Sequence, residues 1–158
     1  MLERWQRYWS GLFFVLLAVS AGVAVAGLGS GVWRAATLGL AAGLALWYWQ
    51  EVIRTGRALS GRAAALPSLA VGAALWTPLL VSHWIFQLLM FSAYHLACSA
   101  PAPSRRAVPR VAVVSALVVA TASVRDGFQP LNLVFYGAVT VALGLFVAMT
   151  QAIHEQSE

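Results

Sequence analysis

Residues 62–106 read RAAALPSLAVGAALWTPLLVSHWIFQLLMFSAYHLACSAPAPSRR, from Arg62 to Arg106, and the number of times this stretch turns decides the architecture. Between its arginines the chain is almost continuously apolar over nearly twice the ~20 residues that one membrane-crossing helix needs. Charge resolves it. If the stretch holds two crossings, 63–80 and 84–98, and the N-terminus is cytoplasmic, then Arg4, Arg7, Arg54, Arg57, Arg62, Arg105, Arg106 and Arg110 share the inner side. Only Arg34 and Arg125 then lie outside. A single long crossing would move Arg105, Arg106 and Arg110 to the outer side and shrink the bias. Positive charge collects in the cytoplasmic connections of membrane proteins, so two crossings are expected here.

Outward from this stretch the same pattern repeats. Apolar blocks cover 9–28 and 33–52 before it, and 108–124 and 131–150 after it. Connections are short and built from turn formers: Gly29-Ser30-Gly31, Ser60-Gly61, Pro101-Ala102-Pro103-Ser104, and Asp126-Gly127 followed by Pro130. Trp5, Trp9, Trp33, Trp47, Trp49 and Trp84 fall at block ends, where an interfacial aromatic belt puts them. The expectation is an all-α, polytopic transmembrane bundle of about six helices, a single domain over 1–158. Both termini are expected on the cytoplasmic side of the cell membrane. The lipid bilayer is the first expected partner. Arg4, Arg7 and the small run Ala24-Val25-Ala26 imitate a secretory signal, but the rest of the chain inserts as well, so an uncleaved first crossing is expected.

Composition agrees. Of 158 residues, 61% are hydrophobic and 9% charged, against about 25% charged in a soluble domain. There are too few charges to coat a core of this size. Blocks without period-2 alternation favour helices over a barrel. The net charge of +5 lies between apolar blocks rather than on one face of a folded domain, so no nucleic-acid partner is expected. Cys98 is the sole cysteine, which excludes an intrachain disulfide.

Few residues offer chemistry. No Asp, Glu or Arg lies in the middle of a block, which weighs against pumps, proton-coupled transporters and ion channels. No carboxylate pair, nucleophilic triad or metal-ligand spacing stands out, so no catalytic motif and no cofactor are expected. His95 is the one titratable group well inside a block. At 100° per residue, Trp84, Gln87, Phe91, Tyr94, His95 and Cys98 form a stripe about 100° wide. Gln87, Phe91, Tyr94 and His95 are thus candidate ligand-binding residues, for an apolar ligand or for a haem on His95. The competing reading is a packing face whose polar groups bond to neighbouring helices. Gly39 and Gly43 form a GxxxG pair, either a dimerisation face or a contact within the chain.

In the sixth block Asn132, Tyr136, Thr140 and Gly144 recur every fourth residue, and Thr140 and Gly144 are taken as packing positions. Neither proline nor a run of turn formers interrupts 131–158. At ~1.5 Å per residue this helix outruns ~30 Å of hydrocarbon, so 151–158 is expected to continue as helix into the cytoplasm.

The stretch Trp84-Ile85-Phe86-Gln87-Leu88-Leu89-Met90-Phe91-Ser92-Ala93-Tyr94, residues 101–106, and the exit from Gly144 to Gln156-Ser157-Glu158 together resemble a known pattern. It is that of the six-helix membrane input domain of bacterial sensor histidine kinases. The resemblance implies a sensory module that signals through its last helix, with a homodimer or other membrane subunits as partners. The phosphoacceptor helix and glycine-rich ATP-binding boxes of that family are not among these residues. His154-Glu155 lacks the charged run that precedes a phosphoacceptor histidine, so it reads as a solvated helix-end histidine. Other readings are an accessory subunit of a membrane complex and a small haem- or quinone-binding protein. Leu75-Trp76-Thr77-Pro78-Leu79 resembles a segment of the tryptophan-rich sensory (translocator) proteins, but their proline-rich first loop is missing and their odd number of crossings conflicts with the arginines.

Overall fold

The computed structural model describes residues 2–29, 31–59, 65–99 and 104–157. Among them are six α-helices and no strand: α1 (Leu2–Gly27), α2 (Gly31–Tyr48), α3 (Ala65–Ser82), α4 (Met90–Ser99), α5 (Ser104–Asp126) and α6 (Pro130–Ser157). Each carries one of the apolar blocks. Helix is the form in which such blocks satisfy their own backbone groups. Three helices are long and apolar enough to cross a membrane: Gln6–Gly27 within α1, α3, and Val108–Asp126 within α5.

The ends of the helices follow local chemistry. Gly127 takes a left-handed φ of 84° after α5, a conformation that glycine adopts without a Cβ clash. Pro130 then opens α6, where its missing N–H costs nothing. Three residues therefore suffice to reverse the chain. Besides a short 3₁₀ turn at Arg57–Leu59, two departures from α geometry break the regular pattern. Past Tyr48, α2 widens into a π-helical turn at Trp49–Arg54, in which Thr55 N–H reaches Gln50 O at 3.0 Å. Before α4, Trp84–Leu89 winds as a 3₁₀ helix. His83 sits extended at its start, and the His83 Nδ1 accepts from Ile85 N–H at 3.2 Å.

That tight winding has a consequence for length. Six 3₁₀ residues at ~2.0 Å and ten α residues at ~1.5 Å reach about 27 Å, where an all-α path would reach about 24 Å. The short fourth block gains about half a helical turn's reach this way.

Sequential helices run antiparallel. At one end Phe13 stacks on Tyr48 at 3.8 Å, Trp9 stacks on His95 at 4.5 Å, and Trp47 Nε1 donates to Ser68 O at 2.8 Å. Toward the other end Ser20 Oγ donates to Ile85 O at 3.3 Å and Arg125 Nη1 to Leu80 O at 2.9 Å. The first end holds Arg4, Arg7, Arg54, Arg57 and Arg110, and the second Arg34 and Arg125. Arg62 lies outside the described residues.

The core lies between α1, α2, α3, the 3₁₀ segment, α4 and α5, around Leu17, Leu44, Tyr48, Leu79, Phe86 and Val118. In contrast, α6 packs chiefly along α5 and leaves Leu133, Val134, Val141 and Leu145 exposed.

Candidate functional site

Five polar side chains inside the bundle are joined in one seam. Tyr94 of α4 shares a 2.6 Å hydrogen bond with Ser115 of α5. Ser115 bonds in turn to the Thr140 hydroxyl of α6, which also donates to Tyr136 O at 2.8 Å. Tyr136 completes the path by donating from its hydroxyl to Gln87 Oε1 at 3.2 Å, on the 3₁₀ segment. Three helices and the segment are thus tied through five side chains. In apolar surroundings such bonds have little water to compete with them, and a broken one leaves its partner stranded.

The 3₁₀ segment is held from the opposite side as well. Trp76 Nε1 donates to Phe86 O at 3.1 Å, beside the Ser20 bond to Ile85 O. Two donors from α1 and α3 therefore address consecutive carbonyls. Turns of 3₁₀ are frequent at the N-termini of α-helices, but runs as long as this are uncommon.

The stripe read from the sequence does not survive as one face. Gln87 and Tyr94 enter the seam, but Phe91 points outward with 51% of its surface exposed. His95 turns to α1, half-buried against the Trp9 ring. His83 serves as a cap far from it. Among the packing positions, Thr140 is in the seam, while Gly43 has room for a Cβ at 3.6 Å from Leu75. Gly39 meets nothing within 4 Å, so its side of α2 is open. The surroundings of Gly144 lie outside the described residues.

Among the described glycines, Gly72 is the one that a neighbouring side chain crowds, and nothing in the sequence singles it out. A Cβ there would fall 2.5 Å from the Trp47 ring. Ser115 and Ser20 stand out no more in the sequence, and Trp76 does so only within the Leu75–Leu79 resemblance. A serine alone in a run of Val and Ala is the signal that could have found Ser115.

Two hollows open among the described residues. An apolar, half-open cleft of about 710 Å³ lies between α2, α3, α4 and α5, with Arg110 on its wall. A smaller recess of about 220 Å³ is lined by Trp47, Glu51, Arg57 and Ser68, where Arg57 approaches Glu51 at 3.8 Å. Among the described residues no three His, Cys, Asp or Glu side chains gather as a metal site would require. No protein-family model, no curated protein and no solved structure matches the chain, so any functional reading rests on this geometry.

Proposed function

We propose that the chain crosses the bilayer six times with both termini cytoplasmic, and that it is a sensory input module of the kind that precedes a histidine kinase. The arginine-rich end supports the orientation, because cytoplasmic connections collect positive charge. The observation that carries the sensory reading is the attachment of α6. This helix of 28 residues is about 42 Å long and packs chiefly along α5. Its polar tie, through Thr140 and Tyr136, leads to the 3₁₀ segment. A change of winding in that segment moves Gln87 and Tyr94, and with them the hydroxyls that hold α6. A rod longer than the ~30 Å hydrocarbon layer carries such a displacement out of the membrane.

The test is a histidine-kinase catalytic region fused after Glu158, reconstituted in vesicles of varied acyl length and temperature. Autophosphorylation should change severalfold with the bilayer, and Thr140→Val should flatten that response without reducing insertion. Activity constant across all conditions overturns the sensory reading.

A second reading, an accessory subunit of a membrane complex, is favoured by the exposed apolar face of α6 and by the open side of α2 at Gly39. Stoichiometric co-purification of other chains in mild detergent supports it. A lone homodimer supports the sensor.

A further inference from the structure

The large cleft has a composition that specifies an occupant. Its walls come from Trp47, Leu69, Ala93, Leu96 and Val113, among other apolar side chains, and among the described residues Arg110 is the one charged residue on them. Both lining indoles that could donate are already used, Trp47 on Ser68 O and Trp76 on Phe86 O. Arg110 is half-buried and makes no hydrogen bond or ion pair among the described residues. A partly desolvated guanidinium beside an apolar surface is costly until an anion meets it. Ser92, on the same wall and only 3% exposed, has a hydroxyl with no partner there either. At about 710 Å³ the cleft is within the size range of small-molecule sites. It also lies at the arginine-rich end, along the first turns of α3 and α5.

We infer that the cleft is a site for one anionic phospholipid of the surrounding bilayer, with an acyl chain between α3, α4 and α5 and the phosphate on Arg110. Hydrocarbon satisfies the apolar walls, and the phosphate supplies a counter-charge that no described residue offers at this point. The membrane is the source because the half-open cleft faces the layer that would surround the bundle. The site rests on the membrane-spanning part of the reading above and is independent of its signalling part.

The experiment is native mass spectrometry of the full chain, released from micelles containing equal amounts of phosphatidylglycerol and phosphatidylcholine. The wild type should retain one lipid, with phosphatidylglycerol in excess. Arg110→Gln should lower that excess roughly fivefold, the factor expected for one arginine beside a lipid phosphate. Arg7→Gln, at the same end but off the cleft, should leave it unchanged, and Ala93→Leu should lower retention of both lipids. Circular dichroism and thermal unfolding verify that each variant is folded. Equal retention of the two lipids overturns the site, as does a loss with Arg7→Gln that matches Arg110→Gln. A retained mass that is a second copy of the chain, weakened by Ala93→Leu, overturns it in favour of a dimer contact. Extraction of the chain from membranes by alkaline carbonate removes the membrane reading and the site together. A chain that stays embedded yet shows no lipid preference removes the site alone.

Discussion

At the scale of single residues, the Trp47 ring lies close over Gly72. The indole is fixed twice, by its bond to Ser68 O at 2.8 Å and by the glycine that admits its face. Gly72→Ala would put a methyl 2.5 Å from a ring with little freedom to withdraw. The helix propensity gained by alanine, about 1 kcal/mol, works against this clash. Overpacking a filled core costs about 1–3 kcal/mol, so the net outcome should be a loss of stability. Thermal unfolding in detergent should show a lowered midpoint for Gly72→Ala, and a smaller effect once Trp47→Phe shortens the ring. Equal stability of Gly72→Ala and wild type would mean that the indole is not held. Nothing in the residues around position 72 announces this contact. One glycine in a run of alanines reads as helix-packing small talk until the partner ring is known, and that ring lies 25 positions earlier in sequence.

At the scale of elements, the six apolar blocks were legible because bilayer-length hydrophobic runs and turn formers are local properties. The winding inside a block was not. The stripe from Trp84 to Cys98 assumed 100° per residue, whereas a 3₁₀ helix turns about 120°. Over the six residues of Trp84–Leu89 the difference accumulates to about 120°, which carries Trp84 away from the face shared by Tyr94 and Cys98. What favours the tight winding lies outside the segment: the Ser20 hydroxyl and the Trp76 indole from other helices, and the extended His83 that caps its start. Removing both donors, in Ser20→Ala with Trp76→Phe, should let the segment relax toward α geometry. Amide exchange at Leu88, Leu89 and Met90 should then accelerate about tenfold, the equivalent of roughly 1.4 kcal/mol of lost protection. Exchange should stay at wild-type rates in the middle of α5. Uniform acceleration throughout the bundle would instead signal general destabilisation and remove the special role of the segment.

At the scale of the whole molecule, the distribution of arginine marks one end of the bundle, which no single helix does. Alternating helices bring Arg4, Arg7, Arg54, Arg57 and Arg110 to one end, although these residues are scattered over most of the chain. The proposed six crossings make the Thr55 turn and the Phe128 turn face opposite sides of the membrane, with Gly29 on the side of Phe128. Cys98 is the sole cysteine, so a Cys98→Ser background allows one thiol at a time to be introduced. Thr55 and Phe128 are both exposed, the latter by 68%, and cysteine at either position leaves the core undisturbed. In intact cells a membrane-impermeant maleimide should label Gly29→Cys and Phe128→Cys, and should reach Thr55→Cys only after permeabilisation. Five crossings would reverse one of these assignments: with 63–100 as a single helix, position 128 would join Thr55 inside while position 29 stayed outside. Protection of Phe128→Cys in intact cells therefore removes the sixth crossing. It also carries the end of α6 to the outer face, where no cytoplasmic kinase region could receive its movement.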